Sequence, residues 1–163
     1  NNKKSIRLRR IRMSNMNTEN NCAACKAYNN SSGSPGGRIK DYKFWFLEHI
    51  PEPVPVKGWL VLRAKRHTEG IAGMNGEEAR ELGEILNSLP KILKETTKAA
   101  QIYLCCFTEM VPHVHFHFIP RYPEETRRTV DVFLLQKEVK EGRVGAIAPE
   151  EARAFAELLQ TKL

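Results

Sequence analysis

His113, His115 and His117 alternate with Val114, Phe116 and Phe118 in the run His-Val-His-Phe-His-Phe-Ile, and a fourth of the chain's five histidines, His67, follows a Lys-Arg pair. If residues 113–119 are extended, successive side chains point to opposite faces, so the three histidines share one face, about 7 Å apart, and the apolar residues share the other. The apolar set can then pack on a core while the imidazoles line a cleft and none has to enter the core. Imidazole, with a pKa near 6.5, is mostly neutral at pH 7 and can attack, while a neighbouring ring remains a hydrogen-bond donor. A lone histidine on an apolar face is ordinarily a satisfied core residue, and strict alternation of three sets this run apart. A purification tag sits at a terminus without intervening Val and Phe. A metal site and a surface accident are the readings left.

Cys22-Ala-Ala-Cys25 has the two-residue gap that lets both thiolates reach one tetrahedral zinc, whereas the adjacent Cys105 and Cys106, in an expected strand, point to opposite faces. A structural zinc takes four ligands, for which nitrogen donors are the natural complement to two sulfurs. No His-x₃₋₅-His pair follows about a dozen residues downstream, so the available nitrogens belong to His49, His67 and the run at 113–117. A single CxxC is also compatible with a redox pair or with two ordinary buried cysteines.

The elements that must position these groups follow from local signals. Tyr42 to Leu47 reads as a strand, the segment with Pro51, Pro53 and Pro55 as a loop, and Trp59 to Arg63 as a second strand. Asn75 can cap a helix with Glu78 as its reciprocal partner, and Ala79, Leu82, Leu86, Leu89 and Leu93 recur at helical spacing. Pro90 should kink or divide that helix. Tyr103 to Phe107 and His113 to Pro120 are two further strands. Pro149 suits a first helical turn, with Ala152, Phe155, Leu158 and Leu159 on the buried side of a terminal helix. Residues 29–38, rich in Asn, Ser and Gly, read as a flexible link too poor in apolar groups to order itself.

Residues 111–121, Val-Pro-His-Val-His-Phe-His-Phe-Ile-Pro-Arg, resemble the signature of the histidine-triad nucleotide hydrolases and transferases, His-x-His-x-His followed by two apolar residues. Gly58-Trp-Leu-Val-Leu-Arg-Ala-Lys-Arg-His67 is similar to the family's strand ending in a basic-basic-His turn before a long helix, and the likeness covers roughly residues 42–123 in the family's order. The resemblance implies an α+β fold, an antiparallel sheet of about five strands with a long helix packed on it and a C-terminal helix. It implies a zinc held by Cys22, Cys25, His67 and His113. It implies that His115 attacks an α-phosphorus to give a nucleotidyl-histidine that water hydrolyses, with His117 binding the phosphate or serving the leaving group. The family commonly carries Gly-Gln-Ser or Gly-Gln-Thr before the triad, and here Thr108, Glu109 and Met110 stand in its place. A carboxylate repels phosphate and a thioether offers almost no hydrogen bond, so Thr108 is the partial substitute. Glu48 is the candidate ribose-binding acid, a solvated surface charge being the alternative.

The chain of 163 residues suits one core, and the resemblance divides it into a disordered basic leader (1–20), a zinc-containing histidine-triad domain (21–123) and a C-terminal extension with the terminal helix (124–163). The net charge of +7 is concentrated: Lys3, Lys4, Arg7, Arg9, Arg10 and Arg12 lie in a stretch without an acid, which leaves +1 for everything after them. That leader could bind nucleic acid or anionic lipid, or address the chain to a compartment, with an inconsequential leader as the stronger reading. No apolar run is long enough to span a membrane, and the thiols suggest a reducing, cytoplasmic setting. A nucleotide substrate and a homodimer are the partners the family analogy implies. A catalytically weak zinc-stabilised nucleotide-binding module and a nucleic-acid-binding protein using the tail are the alternatives.

Overall fold

The computed structural model describes residues 22–30 and 33–163. The leader expected over residues 1–20 lies outside them, as do Asn21 and two residues of the expected link, Ser31 and Ser32. Five strands, β1 (Arg38–Asp41), β2 (Trp45–His49), β3 (Leu60–Ala64), β4 (Gln101–Cys105) and β5 (His115–Arg121), form one antiparallel sheet in the order β1-β2-β3-β5-β4. Four helices, α1 (Ala23–Asn30), α2 (Gly76–Thr97), α3 (Val130–Lys140) and α4 (Pro149–Gln160), pack on it, giving the expected α+β class. No helix among the described residues is long and apolar enough to cross a membrane.

Alternation along the strands decides which layer each side chain joins. In β5, Phe116 and Phe118 lie opposite Leu62 and Leu60 of β3, and with Trp45, Leu47 and Val114 they face α2 and α4. Asn75 caps α2 in a reciprocal box with Glu78, and Leu82, Ile85, Leu89 and Leu93 form its buried seam. The seam is turned from the expected one: Ala79 is exposed, and Leu86 lies at the edge of the core. Pro90 does not divide the helix, which runs unbroken from Gly76 to Thr97 with buried leucines on either side of the proline. In α4, Ala156 takes the buried place assigned to Leu158, which is exposed.

The opposite face carries Trp59, Val61 and Ile119 against Val132 and Leu135 of α3. Coverage of both faces buries every residue of β2 and β3. Neither α1 nor α3 is expected from the sequence pattern, and β1 fills the gap between the segment read as a link, with which it shares only Arg38, and the first expected strand. That segment is ordered by long-range packing: Pro35 is buried, and at Gly36, where φ is +74°, an added Cβ would stand 2.6 Å from the Cβ of Ala156. The remaining strands begin and end within two or three residues of their expected limits. The shift matters at one end, because β5 starts at His115 and leaves His113 in the bend before it.

His49 sits wholly inside the α2–α4 side of the sheet. Its Nδ1–H donates to the Ile50 carbonyl at 3.3 Å, and its Nε2 accepts the Gly58 N–H at 2.9 Å. Gly58 has φ +79°, and a Cβ there would press within 3.1 Å of Phe155 and Thr97, so glycine is required for the bond. Burial lowers the pKa of His49 from 6.5 to about 4. Its folded pKa is depressed, so the unfolded chain binds the extra proton between those values and stability falls as pH drops through that window. The full effect is on the order of 3 kcal/mol. Denaturant titrations should show a shallower loss of stability between pH 6.5 and 4 for His49→Gln than for the wild type, whatever its stability at neutral pH. An identical slope would remove His49 from the acid response.

Candidate active site

Cys22 precedes α1, Cys25 lies in its first turn, His67 follows β3 and His113 precedes β5, yet their ligand atoms all lie within 4.8 Å of one another. Backbone bonds bring the two histidine segments together: Ala64 N–H donates to the Val114 carbonyl at 3.3 Å, and Val114 N–H to that of Thr68 at 2.8 Å. The Lys-Arg-His turn is pinned to the start of α2, since Arg66 donates through Nε and Nη2 to the two oxygens of Glu78, each at 2.8 Å.

His113 Nε2–H donates to the Ala64 carbonyl at 2.8 Å, which leaves the lone pair on Nδ1, the atom turned toward the sulfurs. Nδ1 of His113 is 3.4 Å from Cys22 Sγ and 3.5 Å from Cys25 Sγ, and Nδ1 of His67 is 3.4 Å from Cys25 Sγ. A tetrahedron with metal–sulfur and metal–nitrogen bonds of ~2.3 and ~2.0 Å has nitrogen–sulfur edges of about 3.5 Å. Two thiols and two imidazoles, with no carboxylate among them, are therefore spaced as a tetrahedral zinc requires. The resemblance named these four residues, and the structure brings them together. Cys105 and Cys106 stand apart from the cluster, and no disulfide joins any of the four cysteines.

His115 and His117 project from β5 into a cleft of about 1050 Å³, with ring centroids 5.1 Å apart. His115 Nδ1–H donates to the carbonyl of His113 at 2.6 Å. Its Nε2 therefore carries the lone pair. His117 is the reverse case: Trp59 Nε1–H donates to its Nδ1 at 3.1 Å, so the neutral ring carries its proton on Nε2. Burial, then the charges of His115 and Arg63, lower the His117 pKa to about 3 and hold the ring neutral. Burial, opposed by the bond to the His113 carbonyl, lowers that of His115 as well.

Both rings are deeper than the sequence suggested, at 9% and 8% exposure. The reason is α3, whose Phe133 packs edge-on to His117 with centroids 5.3 Å apart. The hydrogen bond made by each ring offsets part of the cost of burial. Apolar groups from α1, β3, α3 and the β4–β5 loop, including Ala24, Val61, Phe133 and Val111, supply most of the walls. The charged lining is Lys26, Arg63, Lys137 and Lys140 against Glu141. The cleft is therefore suited to a ligand with an apolar plane and negative charge.

Thr108 does not line the cleft, and its Oγ1 lies 3.4 Å from where a Cβ on Gly70 would be. Met110, almost wholly exposed, stands at the rim. Glu48 is on the site face of β2 at 1% exposure, so it is no solvated surface charge, and its Oε2 accepts from Arg63 Nη1 at 2.9 Å. Sequence reasoning passed over Arg63, although a single arginine closing the apolar run Trp-Leu-Val-Leu was a signal. It also passed over the α3 residues, whose weak amphipathic pattern offered none.

No protein-family profile matches the chain, and no curated protein matches it. Solved structures do. A Hit-like protein described as involved in cell-cycle regulation, from Bartonella henselae, superposes with a TM-score of 0.63 at 18% identity, over 88% of this chain and 98% of that one. A histidine triad protein from Bradyrhizobium japonicum gives 0.59 at 22% identity, over 77% and 88%. A zinc-bound histidine triad family protein from Mycobacterium smegmatis gives 0.58 at 15% identity, over 90% and all of its length. Five antiparallel strands, the crossing helices and the triad at the start of β5 thus compose, in this chain, the histidine-triad fold.

Proposed function

We propose that the protein is a nucleotide hydrolase or nucleotidyl transferase that acts at an α-phosphate. The observation that carries this reading is the pair of opposite tautomers in the cleft, a lone pair at His115 Nε2 beside an N–H at His117 Nε2. His115 Nε2 attacks phosphorus, the Nε2–P bond forms, and the bond from phosphorus to the leaving group breaks with its electron pair departing on that group. Water then attacks phosphorus and gives up a proton to the surrounding solvent, the Nε2–P bond breaks with its electron pair returning to the ring, and the nucleotide is released; an acceptor alcohol that loses its hydroxyl proton in the same way makes the step a transfer. His117, held neutral, donates to a phosphate oxygen and is poorly placed to supply a proton. The leaving group is the phosphate of a dinucleoside polyphosphate or the amine of a nucleoside phosphoramidate. His115→Ala should abolish turnover of diadenosine polyphosphate while fold and metal content persist, and mass spectrometry of quenched wild-type protein should map a nucleotidyl adduct to His115. Normal turnover by that variant would leave a nucleotide-binding module as the better reading.

Cys22, Cys25, His67 and His113 would hold zinc, a reading supported by their spacing and by the zinc-bound neighbour of the same fold. The ion would supply structural cross-linking of α1 to the two histidine segments, with no part in the bond changes. Protein purified without added metal should contain about one zinc per chain, since such a site couples metal binding to folding. His113→Ala should lower both zinc content and melting temperature. A zinc content near zero that zinc addition leaves unchanged would sink the assignment.

The basic stretch at residues 3–12 has few apolar groups with which to join the core, and we assign it no role in the reaction. Deletion of residues 1–13 should leave kcat for a small nucleotide substrate unchanged. A large fall would place the stretch in the site.

A further inference from the structure

Arg63 and His115 are directly paired across β3 and β5, so their side chains leave the sheet on the same face with Cβ atoms about 5 Å apart. Arg63 lines the cleft although it is only 9% exposed, beside His115 on the neighbouring strand. Glu48 accepts one of its five N–H groups, at 2.9 Å. The ring of Phe46, opposite Arg63 on β2, lies 5.9 Å from the guanidinium carbon. The ion pair is incompletely satisfied among the described residues: Glu48 Oε2 also accepts from Ser34 Oγ at 3.4 Å, Glu48 Oε1 is buried without a partner, and the bond to Glu48 uses only Nη1 of the guanidinium fork. A buried pair in that condition is poor for stability alone, because two desolvated charges need their remaining hydrogen bonds filled. An anion arriving in the cleft would fill those of the arginine.

We propose that Arg63 binds the α-phosphate of the substrate and that Glu48 is its positioning residue, a role that rests on the nucleotide reading of the cleft. The loop at 108–110 turns its one hydroxyl toward Gly70 and offers the phosphate little, whereas a planar guanidinium can grip two phosphate oxygens at once. The exposed lysines of the rim are screened by solvent, while Arg63 acts where water is scarce and its attraction is strong. It carries charge to the phosphate on which His115 acts, and the rim lysines serve the approach.

The test is calorimetric titration of zinc-loaded protein with AMP, adenosine, GMP, guanosine and inorganic pyrophosphate. Wild-type protein should bind a monophosphate at least about tenfold more tightly than its nucleoside. Glu48→Gln/Arg63→Gln, which keeps a neutral hydrogen-bonded pair, should erase that ratio. Arg63→Lys should restore part of it, and Glu48→Gln alone should raise KM with little change in kcat. In wild-type protein, AMP and pyrophosphate should protect Arg63 from an arginine-selective dicarbonyl and adenosine should not, a readout that holds even if a variant fails to fold. Persistence of the phosphate preference in the double variant, or equal labelling with and without anion, overturns the assignment. Turnover through His115 alongside such a result leaves the nucleotide reading standing. Pyrophosphate binding that needs Arg63, with no nucleotide bound, keeps Arg63 as an anion anchor and removes the nucleotide reading.

Discussion

Every histidine ring has two nitrogens, and the partner of one decides what the other can do. Four rings of this protein are fixed in that way, each by a different device. The Ala64 carbonyl turns the Nδ1 lone pair of His113 toward the cysteines, and the His113 carbonyl turns the Nε2 lone pair of His115 toward the cleft. The Trp59 indole leaves a proton on the outer nitrogen of His117. His49, satisfied at both nitrogens, is left with nothing to offer a ligand. Identical side chains two residues apart thus present a lone pair to the cysteines, a lone pair to the cleft and an N–H to the cleft, through backbone and indole bonds that the sheet supplies.

Those bonds depend on the β3–β5 ladder. Its register sets Arg63 beside His115 and Val61 beside His117. A slip of one residue would send the histidines into the α2 layer and the phenylalanines into the cleft. The large apolar groups on the other face, Trp45, Phe116 and Phe118 above all, make such a slip expensive by hydrophobic burial. The face that carries the histidines is therefore specified largely by the packing of the face opposite.

The elements legible in the sequence were those with local signals: the capping box at Asn75, the proline at the start of α4 and the alternation of β5. The four cluster ligands were legible only through resemblance, since nothing local joins Cys22 to residues some 45 and 90 positions away. What stayed hidden depends on tertiary context. The turn before β1 is ordered by the contact of Gly36 with Ala156, and α3 takes its place from the cleft it covers. The depth of His115 and His117 depends on α3, and the place of Arg63 beside His115 depends on the β3–β5 register, neither of which has a local pattern in the sequence.

Burial by α3 also changes the chemistry available. A triad on an open strand would keep ordinary imidazole pKa values, and a protonated ring could hand its proton to a leaving amine. Under Phe133, with the Arg63 charge close by, His117 is held neutral down to about pH 3. The same enclosure that weakens it as an acid removes water from around the N–H, so its hydrogen bond to an anionic oxygen gains strength. A helix that lies outside the histidine motif therefore biases His117 toward hydrogen bonding in place of proton donation.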